Sequence, residues 1–150
     1  MKKSFDYIKK VNFIPIVLVI SIFAITLSGY SVYLYSQKKA SLVIFMQSND
    51  TKDARSAVAR AIVLKKNNAV NHIEVVFGGD GTIPLAHADQ EFKTRLEDAH
   101  TAGVVISACG AGMVKNNINI DDLPTFASIF PYGIIRTLDL VSEGYTVMQY

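Results

Sequence analysis

One cysteine and one glycine-rich string are the residues of this 150-residue chain whose types and spacing could do chemistry. Cys109 follows the apolar run Val104-Val-Ile-Ser-Ala108 and precedes Gly110-Ala-Gly112. A thiol at such a junction leaves a strand and enters a helix, where free N–H groups and the helix dipole favour the thiolate, its nucleophilic form. The small neighbours should leave the sulfur approachable. A lone cysteine is equally at home as a small buried hydrophobe, so position alone leaves both readings open. With one cysteine, an intramolecular disulfide and any multi-cysteine zinc site are excluded.

The string is Gly78-Gly79-Asp80-Gly81-Thr82. Glycines after a strand permit positive φ and a close approach of backbone to phosphate. Over these five residues the chain resembles the signature of NAD, diacylglycerol and sphingosine kinases, which makes Gly78, Gly79, Asp80 and Gly81 a candidate ligand loop. The chain has no room for the second domain of those kinases, and no Asn-Pro motif follows the first strand, so a tight glycine turn is the simpler reading. His87 and Asp89 could give two metal ligands, but no third stands at a familiar spacing, and no metal site is expected. Asp121-Asp122 reads as a turn cap, and no GxSxG elbow marks a serine hydrolase.

These residues need elements to position them. Ser41-Leu-Val-Ile-Phe-Met-Gln47 is a short continuous apolar run, the pattern of a strand buried on both faces. Asn49, Asp50 and Thr51 offer helix caps, and Ala54, Val58, Ala61 and Ile62 recur at helical spacing until Asn67-Asn68. His72–Phe77 is a second strand; Phe92, Leu96 and Ala99 stripe a second helix closed by Gly103. His87 falls in a loop over Pro84–Asp89. Val104–Ala108 is a third strand, a short helix runs through about Asn116, and Phe126–Phe130 is a fourth strand. Ile134, Leu138 and Val141 stripe a last helix, and Thr146–Gln149 is a terminal strand. Strictly alternating strands and helices predict an α/β fold, a three-layer α/β/α domain on a mainly parallel five-stranded sheet covered on both faces.

Charge and hydropathy divide the chain. Residues 1–39 carry six Lys against Asp6, whereas residues 40–150 carry nine Lys/Arg against twelve Asp/Glu. The basic character belongs to the N-terminal part, and a nucleic-acid partner for the rest loses its main support. Residues 11–37 hold no charge, and about 20 apolar residues already span a bilayer core. With 1–10 as a basic cytoplasmic N-terminus, 11–37 reads as a transmembrane signal anchor, its N-terminus kept inside by four preceding Lys against two following. In a bacterial chain the 40–150 domain would then lie in the periplasm, single-pass at the inner membrane. The alternative is a signal peptide cleaved near Thr26–Gly29, which secretes the same domain to the periplasm. Apolar and aromatic residues continuing to Tyr35 favour the anchor.

With Cys109 after a third strand, residues 41–150 resemble the DsrE/DsrF-like (YchN-like) family. The resemblance rests on Ile73–Gly78, Ala102–Cys109, Met113–Ile118, Ile120–Leu123, Tyr132–Leu138 and Glu143-Gly-Tyr145. It implies a three-layer domain assembling as a homotrimer or homohexamer. It also implies that the cysteine matching Cys109 carries sulfane sulfur as a persulfide between donor and acceptor proteins, as a carrier and not a turnover enzyme, with no cofactor. Two positions depart from relatives: Phe77-Gly78 stands where a His-Gly pair is common, and Gly112 where a Ser or Thr is common. A non-catalytic binding or oligomerisation module, or nucleotide binding at Gly78–Thr82, are the alternatives.

The topology is directly testable. Val11–Tyr35 should hold the protein in the inner membrane with residues 40–150 outside; a soluble product with its mature N-terminus near Gly29 would defeat the anchor.

Overall fold

The computed structural model describes residues 39–150; the basic N-terminus and the uncharged run read as an anchor lie outside the described residues. Among the described residues no helix is long and apolar enough to cross a membrane.

Five strands build one sheet: β1 (Ser41–Met46), β2 (Ile73–Phe77), β3 (Val105–Cys109), β4 (Ser128–Phe130) and β5 (Tyr145–Gln149). Their spatial order is β4-β3-β2-β1-β5, and every neighbouring pair is parallel. The helices are α1 (Thr51–Lys66), α2 (Thr82–Ala86), α3 (Gln90–Thr101), α4 (Gly110–Lys115) and α5 (Gly133–Ser142), with 3₁₀ turns at Gly79–Gly81 and Ile120–Asp122. The fold is a three-layer α/β arrangement.

Side chains alternate across a strand, and the alternation sorts the core. Leu42, Ile44 and Met46 of β1, Ile73, Val75 and Phe77 of β2, and Ile106 and Ala108 of β3 face one side. There they meet Ala54, Ala57, Val58 and Ala61 of α1 and Phe92, Leu96 and Ala99 of α3. The alanines let α1 approach the sheet closely. Val43, Phe45 and Val76 face the other side, where Leu140 of α5 joins them in a much smaller cluster with Tyr145.

The helix starts follow the capping chemistry. Asp50 accepts from Lys52 N–H at 2.7 Å, and Asp89 accepts from Phe92 N–H at 2.9 Å. Arg55 of α1 forms ion pairs with Asp89 and Glu91, tying α1 to α3.

Three local expectations are corrected. The segment read as a loop from Pro84 begins inside α2, because proline in a first helical turn removes no intrahelical bond. The fourth strand starts at Ser128, not Phe126: Ala127 N–H closes a turn onto the Pro124 carbonyl at 2.9 Å, and Phe126 and Ala127 pack against the main core instead of pairing. In α5 the stripe Ile134, Leu138, Val141 is exposed, at 52 %, 60 % and 42 %, while Gly133, Thr137 and Leu140 are the buried line. The helix turns Gly133, Thr137 and Leu140 to the sheet and its apolar stripe outward, so one face of the sheet has only this thin cover.

Candidate functional site

In a parallel sheet every strand ends at the same edge, and ligand sites gather beyond it. β2 and β3 are neighbours, with Phe77 beside Ala108. The glycine string after β2 and Cys109 at the end of β3 are therefore brought together.

Cys109 is the last residue of β3 and the N-cap of α4, and its Sγ accepts a hydrogen bond from Gly112 N–H at 3.4 Å. The residue is only 6 % exposed, so the small neighbours do not open the sulfur as expected; they let other backbone close over it. Burial pushes the thiol's pKa up. Backbone N–H groups of Gly133, Gly112, Gly79 and Ala111 outweigh that and leave it below the ordinary thiol range. These amides come from three segments: the turn after β2, the start of α4 and the start of α5. Gly112 N–H is the one of the four that hydrogen-bonds Sγ, while Ala111 N–H donates to the Pro131 carbonyl at 3.0 Å.

The two cations that could have approached the sulfur are engaged elsewhere. Lys115 Nζ donates to Asp80 Oδ1 at 2.7 Å, which holds the Asp80 carboxyl below its usual range. Arg136 is paired with Glu74.

Glycine is required here by contact. A Cβ on Gly112 would lie 2.5 Å from the Gly79 carbonyl oxygen, one on Gly81 2.2 Å from the Met46 carbonyl oxygen, and one on Gly78 2.4 Å from the Phe45 ring. Gly112 thus stands where a serine or threonine would collide with the neighbouring turn. Gly79 has φ +52°, and its carbonyl accepts from Thr82 Oγ1 at 2.8 Å and from Asn116 Nδ2 at 3.2 Å. The string Gly78–Thr82 is packed onto the end of β1 and against α4, with Asp80 turned to Lys115 and Thr82 buried.

The remaining sequence candidates are dispersed. Asp89 is occupied as the α3 cap and ion-pair partner, His100 stacks on Phe126 with ring centroids 4.5 Å apart, and Asp122 accepts from Asn119 N–H at 2.8 Å. Among the described residues no three ligating side chains cluster as a metal site would need.

Two features were missed in the sequence. Gly133 reaches the thiol from 24 positions away; a Cβ there would sit 3.2 Å from Cys109 Cβ and 3.3 Å from Gly78 Cα. The other is a buried polar cluster under the site. Glu74, 3 % exposed, accepts from Ser107 Oγ at 2.6 Å, from Arg136 Nε at 3.0 Å and from Arg136 Nη2 at 2.7 Å. The guanidinium also lies over the Phe130 ring at 4.5 Å. A single charge inside an otherwise apolar strand was the available signal.

Residues 38–150 match the model of the DsrE/DsrF-like family. The chain belongs to this family. Its fold is shared with three solved structures, each too distant in sequence to indicate more than fold. A protein of unknown function from Methanobacterium thermoautotrophicum is 17 % identical with a TM-score of 0.67, covering 75 % of this chain and 100 % of that one. A conserved protein of unknown function from Bacteroides thetaiotaomicron is 16 % identical with a TM-score of 0.58, covering 73 % and 95 %. The ychN protein of E. coli is 11 % identical with a TM-score of 0.59, covering 73 % and 99 %. No curated protein matches the chain.

The thiol of this DsrE-like domain has a consequence for stability. A folded value below the unfolded one, about 8.5, stabilises the fold above the unfolded value, and that contribution is lost as pH falls through the folded value. Between about pH 6 and about pH 9, the stability of the wild type relative to Cys109→Ser should therefore rise with pH. Denaturant titrations of both proteins across that range check it; a flat or falling difference would contradict the amide arrangement.

Proposed function

We propose that this chain is a membrane-anchored sulfur carrier of the DsrE-like kind, which holds sulfane sulfur as a persulfide on Cys109 in the periplasm. The observation that carries the reading is a buried thiol at the carboxyl edge of the sheet, its Sγ accepting from Gly112 N–H at the start of α4 and its Cβ closely approached by Gly133 of α5. The membrane part rests on the uncharged run 11–37 and its lysine asymmetry.

The chemistry needs one thiol from this chain. The Cys109 thiolate attacks the outer sulfur of a donor persulfide, forming a new S–S bond while the donor's S–S bond breaks and its electron pair leaves on the donor thiolate. An acceptor thiolate repeats the step on the Cys109 persulfide. Each transfer exchanges one S–S bond for another, with no net oxidation and no cofactor. Amide donors around Cys109 favour it both as attacking thiolate before loading and as leaving group after.

Two other readings use the same residues differently. A non-catalytic module would keep Cys109 as a packed hydrophobe, and a nucleotide site would use Gly78–Thr82. The second is disfavoured by the partners of that string, since Asp80 is paired with Lys115 and Gly81 is pressed on Met46.

Incubation of the full-length chain with a low-molecular-weight persulfide should add one sulfur atom to the intact mass, removable by reductant. Cys109→Ser should abolish the addition while circular dichroism stays unchanged. Loading that survives the substitution, or a substitution that unfolds the domain, would sink the carrier reading.

The outward stripe of α5 supports a homo-oligomer. Ile134, Ile135, Leu138 and Val141 are exposed, as are Val105 and Val147 on the same side of the sheet. A second copy would bury this apolar face, giving a homotrimer or homohexamer. Light scattering should report that state, and Leu138→Lys should shift it to monomer without unfolding. A wild type that is monomeric at micromolar concentration would count decisively against assembly.

A further inference from the structure

We propose that the pair of buried Glu74 and part-buried Arg136 is a positioning device for Cys109, fixing the rotation of α5 on the sheet so that Gly133 stays against Cys109. The inference rests on the reading of Cys109 as a working thiolate.

Glu74 is the one charged side chain buried among the described residues. Removing a carboxylate from water costs free energy that its partners must offset, so such pairs are weak evidence for stability, and their best-attested role is to select one packing over its rivals. Here the selection has a clear object. α5 meets the sheet through a small cluster, Val43, Phe45, Val76 and Leu140 with Tyr145. Its larger apolar residues, Ile134, Leu138 and Val141, point away. Area burial alone would favour rolling the helix to bring that stripe inward. The bidentate bonds from Arg136 to Glu74, with the guanidinium seated on Phe130, hold the observed rotation.

The same three elements meet at the clamp and at the sulfur. Glu74 belongs to β2, Ser107 to β3 and Arg136 to α5. The amides at Cys109 come from the turn after β2, the helix after β3 and the first residue of α5. Arg136 is three residues after Gly133, about one helical turn, and Ser107 is two before Cys109 on the same side of β3. A roll of α5 would carry Gly133 away from Cys109, against which it now packs so closely that a Cβ would lie 3.2 Å from Cys109 Cβ. The other charged groups on elements packed around Cys109 are Asp80 and Lys115, which pair with each other, and Asp139 on α5.

The test is the titration midpoint of the Cys109 thiol in the full-length chain, read from alkylation rate against pH. Beside the wild type stand Glu74→Gln, Arg136→Met, Arg136→Lys and the double variant Glu74→Leu/Arg136→Met. The double variant replaces the pair by apolar volume, a change that commonly leaves folding stability intact. In Glu74→Gln, Arg136→Met and the double variant, the midpoint should rise by at least about half a unit, a roughly threefold loss of thiolate near neutral pH. Arg136→Lys, which keeps charge without the bidentate fork, should recover part of the shift. A folded double variant with the wild-type midpoint would show the pair to be structural only and overturn the proposal. If the wild type still takes up persulfide sulfur in that case, the carrier reading stands and only the positioning role falls. An ordinary midpoint in the wild type overturns both.

Discussion

A buried sulfur that is to carry negative charge needs hydrogen-bond donors fixed around it, because burial removes most of its contact with solvent. Around Cys109 those donors are backbone amides, and backbone can come that close only where side chains are missing. Gly112 against the Gly79 carbonyl and Gly78 against Phe45 are contacts that one Cβ would break, and a Cβ on Gly133 would crowd Cys109 at 3.2 Å. The parallel sheet makes this convergence possible by ending β2 and β3 side by side at one edge. The rest of the site follows: the turn after β2 folds back onto β1, α4 starts at the sulfur, and α5 begins over both.

The two faces of the sheet are built by different means. On the side of α1 and α3, a large apolar core with interdigitating alanines, Phe92 and Leu96 sets the packing by shape and area. On the side of α5, the apolar cluster is small and a part-buried ion pair with a serine partner takes over the selection of geometry. That division lets α5 present an apolar stripe outward without losing its own seat. An exposed apolar stripe and the glycine that packs on Cys109 are thus carried by one short helix.

The family to which the chain belongs and the fold it shares with distant solved structures agree with the order of elements along the sequence. Carrier chemistry asks little more of the fold than a stabilised thiolate and an S–S exchange partner. In the glycine string the one charged residue, Asp80, is tied to α4 through Lys115, and Gly79 lies against Gly112 at the start of that helix.

Much of this architecture was legible in the residues themselves. Continuous apolar runs such as Leu42–Met46 announce strands buried on both faces, Asp50 and Asp89 announce helix starts, and strict strand–helix alternation leaves a parallel sheet as the economical topology. Those signals are local, and local rules suffice to read them. Cys109 at the end of β3 was legible for the same reason. Three features were not, because each depends on what lies across space from a residue. Gly133 looks like an ordinary helix start until α5 is laid over β3. Glu74 looks like an interruption in a strand until Arg136, 62 positions later, reaches it. The stripe Ile134, Leu138, Val141 has the period of a buried helix face, yet only the tertiary structure decides which side of a helix meets the sheet. There Gly133, having no side chain, lets α5 seat closely on Cys109, and Arg136 of the same helix reaches Glu74, so the larger apolar area faces outward.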